Sequence, residues 1–306
     1  MLNSQSQYQK GIICALASYV IWGMLPIYWK SLLAVNSYEI LCWRVVMSLM
    51  FMLLLQRIMG WSKFDTEVRK ILADRKILLS VVAAGIVVTL NWMIYIVAVN
   101  QGRIVETALG YYINPLVSIL FGIYYFKERL TIWTKISFAL AIIGVMIMII
   151  RLGQFPWLPL ALALSFGMYG LIKKTLRVSV FTGLTLETLV VAPFCAAYIY
   201  YRHVHGVSAF ESGSSTVGVL IALSGMITAV PLLLFSAGAR LLPLNIVGFL
   251  QYLSPTLSLL IGVFVYGELF TLVHLFTFSF IWAALALFTI SQTKFFNEYL
   301  LKVFAR

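Results

Sequence analysis

Charge is what this 306-residue chain has least of: 22 basic and 10 acidic side chains make up 10% of it, while 62% is apolar. Soluble domains carry about a quarter charged residues, so the composition excludes an ordinary soluble enzyme. Most of the surface must face lipid. Cysteine is also scarce. Cys14, Cys42 and Cys195 stand singly inside apolar stretches, with no CxxC pair and no His/Cys spacing that fits a metal. Neither a metal nor any other cofactor is expected. Glycine (20) and proline (8) are too few for a collagen-like or Pro/Gly-rich disordered chain, and 15% aromatic residues argue for a folded one. Nucleotide and hydrolase signatures are missing too: there is no Walker loop, no GxGxxG between a strand and a helix, and no GxSxG elbow. The longest polar stretch between apolar runs, 57–76, is too short to hold a nucleotide-binding domain.

What the chain has is long apolar runs. A hydrocarbon core of about 30 Å needs about 20 helical residues, and ten such runs fit: 11–33, 39–56, 77–99, 104–126, 133–150, 155–172, 180–200, 217–237, 244–264 and 272–290. The first is too long for a signal peptide and lacks a small-residue cleavage pattern. Residues 292–306 read as an amphipathic tail along the headgroups, with Phe295, Phe296, Leu300 and Leu301 on its apolar side.

Ten crossings assign every Lys and Arg to a side. With the amino terminus inside, 17 fall in cytoplasmic segments and only Arg103, Arg151 and Arg202 fall outside, with Lys30 and Arg44 left inside spans. That bias is the positive-inside pattern. It explains the net charge of +12 without nucleic acid and predicts both termini in the cytoplasm. The outer loops also hold His203 and His205, with His274 at an outer helix end, and these form no cluster.

The fourth and ninth runs repeat each other at one constant offset. Tyr112, Pro115, Ser118, Gly122, Glu128 and Thr131 lie over Tyr252, Pro255, Ser258, Gly262, Glu268 and Thr271. A weaker match places Ser18, Tyr19, Trp22 and Gly23 over Ser165, Phe166, Tyr169 and Gly170. The predicted fold is an all-α polytopic membrane protein whose ten transmembrane helices form two five-helix inverted-topology repeats, 1–151 and 152–306. Five is odd, so the halves enter the membrane from opposite sides. Such a pair can expose one central site to either face in turn, which favours transport of a small-molecule solute. A passive channel-like facilitator, or a membrane scaffold or lipid-modifying protein without transport, is the alternative.

Polar groups inside the runs are the candidate site residues, since a charge at mid-membrane costs at least about 2.5–3.5 kcal/mol. Arg44 either snorkels outward on its stem or anchors a carboxylate or phosphate with its five-donor fork. It lies five residues from Glu39, on a different helix face. Lys30 is an interfacial residue beside the belt-like Tyr28 and Trp29, or part of an outer mouth. Asn91, Trp92, Tyr95, Gln101, Tyr111, Tyr112, Asn114, Gln251 and Tyr252 form a polar and aromatic set suited to a small amphipathic solute or to ordinary interhelical bonding. Glu187, deep in the seventh run with no basic neighbour in sequence, is the candidate for proton coupling. Pro26, Pro115 and Pro255 interrupt apolar helices as static kinks or as hinges lining the route. Glu106 reads as an outer-end carboxylate at a helix amino terminus. Glu128 and Glu268 cap the next helix, or gate opposite mouths.

Three segments together carry a resemblance: GIICALASYVIWGMLPIYWK at 11–30, EILCWRVVMS at 39–48 and LNWMIYIVAVNQGRIVETALGYYINPL at 90–116. With the duplicated helix ends bearing Glu128 and Glu268, the chain resembles the EamA branch of the drug/metabolite transporter superfamily along all ten runs. The resemblance implies an inner-membrane permease, an exporter of small metabolites such as amino acids or related compounds, and keeps Lys30 and Arg44 among the functional residues.

Overall fold

The computed structural model describes residues 2–127, 131–152, 155–176, 178–211, 214–242 and 250–291. All regular elements within them are helical. In chain order they are α1 (Leu2–Lys30), α2 (Ser37–Met59), α3 (Trp61–Ala73), α4 (Arg75–Asn100), α5 (Ile104–Phe126) and α6 (Ile132–Leu152). Then follow α7 (Trp157–Thr175), α8 (Val180–Val204), α9 (Ser215–Leu241), α10 (Leu253–Leu260) with a π-helical continuation (Ile261–Val265), and α11 (Leu272–Ser291).

Seven of these helices, α1, α2, α4, α6, α8, α9 and α11, are long and apolar enough to cross a bilayer by length and composition. Large apolar side chains such as Leu54, Ile58, Phe194 and Leu272 stand exposed on their outer faces, as expected where lipid is the solvent. Helix starts follow side-chain caps: the Asn36 carboxamide accepts from Tyr38 N at 3.0 Å, Asp74 from Lys76 N at 2.9 Å, and Ser179 from Thr182 N at 3.2 Å.

Residues 57–76 are not a plain loop. They contain α3, which buries Phe64 and Ile71 and leaves Lys63, Arg69 and Lys70 exposed. Trp61, Phe64, Val68, Ile71 and Leu72 fall at helical spacing, a signal shorter than a membrane-length run. Gly60, with φ at 111°, turns the chain from α2 into α3, a backbone geometry that side chains disfavour.

Hydrophobicity gives helices in lipid no reason to associate, so close approach carries the packing. The most extensive contacts are α6 with α11, α5 with α7, α1 with α9 and α10, α2 with α8 and α9, and α4 with α7 and α8. Two crossings are tightest. A Cβ on Gly85 of α4 would sit 2.6 Å from the Glu187 carbonyl oxygen of α8, and one on Gly225 of α9 would overlap the Met47 backbone of α2.

The prolines differ in setting. Pro26 and Pro115 lie within α1 and α5. Ahead of Pro255 the helical pattern breaks at Gln251 and Tyr252 and restarts at Leu253, where a proline in the first turn has no backbone bond to lose. Pro193 in α8 and Pro231 in α9 are two further interruptions.

Candidate functional site

Arg44 does not snorkel. It is only 4% exposed, inside the packed helices. Its Nε donates to Thr228 Oγ1 of α9 at 2.9 Å, and the Thr228 hydroxyl in turn donates to the Ser224 carbonyl at 2.8 Å. The guanidinium carbon lies 4.2 Å from the Trp92 ring centroid and 4.9 Å from that of Trp29. Two such ring contacts contribute about 2 kcal/mol each when desolvated, which offsets much of the burial cost. The hydrogen bonding is nonetheless incomplete. Arg44 Nη1 and Trp29 Nε1 are both buried donors without an acceptor.

The surrounding wall is aromatic and well fixed. Tyr28 packs edge-on against Trp29 at 4.9 Å and donates to the Leu220 carbonyl. Tyr95 and Tyr111 meet edge-on at 5.8 Å. Asn91 is fully engaged: Nδ2 donates to Leu162 O at 3.1 Å and Ser165 Oγ at 2.9 Å, while Oδ1 accepts from Tyr111 at 3.4 Å. Asn91 therefore ties α4, α5 and α7 together. Trp29 is 0% exposed, so it is a core residue and not an interfacial belt residue. Arg44, from the next helix, lies against its ring.

Glu187, also buried, is not alone. Its Oε1 accepts from Lys173 Nζ at 2.6 Å and its Oε2 from Tyr169 at 3.0 Å. The expected lack of a basic neighbour fails because Lys173 reaches in from the end of α7, the preceding helix. Glu39 is likewise engaged, by Arg202 at 3.2 Å and Ala209 N at 2.8 Å, and not by Arg44.

A third group lies at the helix ends. Lys30 stands 4.2 Å over the Tyr266 ring, and an open cavity of about 480 Å³ is lined there by Lys30, Arg103, Glu106, Tyr266, Glu268 and His274. Arg103 gives two bonds to Glu106, at 2.6 and 2.7 Å. Those bonds hold the guanidinium above its usual range. Glu268 caps α5, accepting from Ile104 N at 2.9 Å and Val105 N at 2.8 Å. The helix it caps is not the next one in sequence. Glu128 lies outside the described residues.

The expected site residues thus separate into four places. Arg44, Trp92, Tyr95 and Tyr111 come together, joined by Tyr28, Trp29 and Thr228. Tyr112 and Tyr252 stack at 6.3 Å beside a 2.5 Å bond between Tyr112 and Thr256. Gln251 adjoins them in the turn, and Asn114 Oδ1 is a buried acceptor without a partner. Lys30 belongs to the end cavity, and Glu187 to its own ion pair. Thr228 had no signal in sequence, being in the other half of the chain from Arg44.

The EamA-like transporter family matches residues 9–150. The chain is 43% identical over 290 residues to YojE, an uncharacterised transporter of Bacillus subtilis, covering 94% of this chain and 96% of that one. It is 40% identical to an uncharacterised transporter of Vibrio cholerae, covering 96% of each. It is 38% identical over 283 residues to the protein RarD of Escherichia coli, covering 92% of this chain and 94% of that one. One solved crystal structure, 16% identical, superposes with a TM-score of 0.57 over 90% of this chain and 96% of its own, a likeness of fold alone.

Proposed function

The chain belongs to the EamA-like transporter family, and from that premise we propose that it is a secondary transporter working by alternating access. Its apolar helices and bacterial transporter relatives make it a multi-pass bacterial membrane protein. In the proposed reading it exports a small amphipathic metabolite, an amino acid or related compound, across the inner membrane. Ten crossings form two inverted repeats, 1–151 and 152–306, with both termini cytoplasmic.

One observation carries this reading. Pair α1 with α7, α2 with α8, α4 with α9, α5 with α10 and α6 with α11, as the duplication requires. Exchanging partners then turns α1–α9 into α7–α4, α2–α9 into α8–α4, and α5–α7 into α10–α1, all of them main contacts. The contacts α2–α8, α5–α10 and α6–α11 map onto themselves. The two tightest crossings obey the same rule at residue level, since Gly85 and Met47 stand to Gly225 and Glu187 at the same offset as Tyr112 stands to Tyr252. A pseudo-two-fold axis of this kind gives two conformations of similar energy around a shared site.

The proposed solute site is the Arg44 cluster, with Asn91, Trp92 and Tyr95 from one half and Thr228 from the other. Tyr112, Asn114, Gln251 and Tyr252 form the second aromatic wall, Lys30 stands at the outer mouth, and Pro26, Pro115 and Pro255 are the hinges. Glu187 is the coupling group, taking a proton when its pair with Lys173 opens.

The test is counterflow in proteoliposomes with labelled amino acids and organic acids. A carrier exchanges label faster when unlabelled solute is present on the far side. Uptake without such stimulation would indicate a facilitator, and no uptake would remove the transport reading. Glu187→Gln, assayed against an imposed pH gradient, should lose the pH dependence of exchange; an unchanged dependence excludes Glu187 from coupling.

A further inference from the structure

Among the described residues, each buried or half-buried carboxylate already has its partner. Glu39 holds Arg202, Glu106 holds Arg103, Glu187 holds Lys173, and Asp65 holds Arg69 at 2.9 Å. Glu67 accepts from Ser179 at 2.7 Å, Asp74 and Glu268 cap helices, and Glu211 is exposed. Arg44 is the opposite case. It is a buried cation with no carboxylate within ion-pair distance among these residues, and its Nη1 lacks an acceptor. The adjoining Trp29 Nε1 lacks one as well.

A low-dielectric site holding one positive charge and two unused N–H donors is chemically incomplete. Carboxylate oxygens complete it: one negative charge cancels the guanidinium, and two acceptor oxygens take the two donors. Net charge decides between candidate solutes. A monoanion leaves the site neutral. A zwitterionic amino acid leaves the Arg44 charge in place and adds an ammonium, for which no free carboxylate stands nearby among the described residues. A phosphate dianion leaves one negative charge in surplus. The rings of Trp29, Trp92, Tyr95 and Tyr111 supply an apolar and aromatic wall for the rest of the molecule.

We infer that the transported solute is an organic monocarboxylate with a flat or apolar body, held by its carboxylate at Arg44 Nη1 and Trp29 Nε1. This rests on the carrier reading above and narrows its substrate class from amino acids and related compounds to those without a free ammonium.

The experiment is thermal unfolding of the full-length protein in detergent, titrated with benzoate, its neutral isostere benzamide, phenyl phosphate and phenylalanine. Benzoate is expected to raise Tm in a saturable way, and the other three to fall at least tenfold short in apparent affinity. Arg44→Lys keeps the charge without the fork and should weaken benzoate tenfold or more. Arg44→Met should unfold close to the wild type without solute, yet lose the benzoate shift. Trp29→Phe, which keeps the ring and removes the N–H, should weaken benzoate several-fold. An equal response to benzoate and benzamide, a larger response to phenyl phosphate or phenylalanine, or an intact benzoate shift in Arg44→Met overturns the inference. Counterflow fails or succeeds separately. Exchange of a zwitterion, unchanged by Arg44→Lys, would leave the carrier standing and remove the anion anchor; a benzoate shift without any counterflow would do the reverse.

Discussion

The α2–α9 and α4–α8 crossings have the same backbone and opposite chemistry. At each, a glycine of one helix receives the main chain of the other: Gly225 receives Met47, and Gly85 receives Glu187. One turn away, Arg44 bonds Thr228 in the first crossing, while the positions that the duplication sets opposite them in the second are Leu184 and Val88, both buried in the apolar core. The carboxylate of the second crossing, Glu187, sits where the first has Met47, and it is closed by Lys173 and Tyr169. A buried charge with its partner is a finished structure. A buried charge with an unused donor is an unfinished one, and completing it is what a solute can do. In the proposed carrier, symmetric backbone and asymmetric charge would together let one site change its access without being present twice.

Adding a single methyl at either glycine tests the shared backbone and should have the largest effect. Gly225→Ala and Gly85→Ala each drive a Cβ into main-chain atoms that cannot rotate away, and each should cost about 2–3 kcal/mol, with Gly225 the worse. Size-exclusion profiles and Tm of the two variants read this out. Tolerance of one with loss of the other would break the equivalence of the crossings.

Charge comes next. Lys173→Met leaves Glu187 buried without its cation and should cost about 3 kcal/mol near neutral pH. Thermal unfolding relative to wild type gives the answer, and a deficit below about 1 kcal/mol would mean the pair contributes no more than an exposed one. Arg44→Met is the contrasting case. It removes two ring contacts and one bond, but also an uncompensated charge, and Leu184 occupies the related position without harm. Stability without solute should stay within about 1 kcal/mol of wild type. A loss as large as that of Lys173→Met would show that Arg44 is as structural as Glu187.

The membrane class was legible because apolar runs of spanning length are a strong, one-dimensional signal, and α1, α2, α4, α6, α8, α9 and α11 lie where those runs lie. The helix α3 was not, because it is shorter than a span and its apolar residues occupy one face only. Arg44 and Trp92 could be singled out as a costly charge and a ring in lipid. Trp29, near a helix end beside Lys30, looked interfacial, yet it is fully buried beside Arg44. Lys173 was counted among the cytoplasmic charges, and its stem is long enough to bring the ammonium to Glu187. Partners on other helices, such as Thr228, leave no trace in local pattern. Intramembrane sites are built from such pairs, so sequence exposes the charged half of each contact and conceals the other.

Glu268 shows a third way to satisfy a carboxylate, with neither cation nor solute, and yields the smallest effect. Its two oxygens take the first free N–H groups of α5, a helix from the other half of the chain. Glu268→Gln keeps one acceptor oxygen and loses the charge, so about 1 kcal/mol should go. The loss should fall on one end of the molecule, where the π-helical segment and α5 meet beside the Lys30 cavity. Hydrogen exchange at Ile104 and Val105 should rise while the Arg44 and Glu187 neighbourhoods stay protected. Loosening that spread to those crossings would mean that the end cap and the central charges are one cooperative unit, and that the contrast between finished and unfinished charge extends to the mouth.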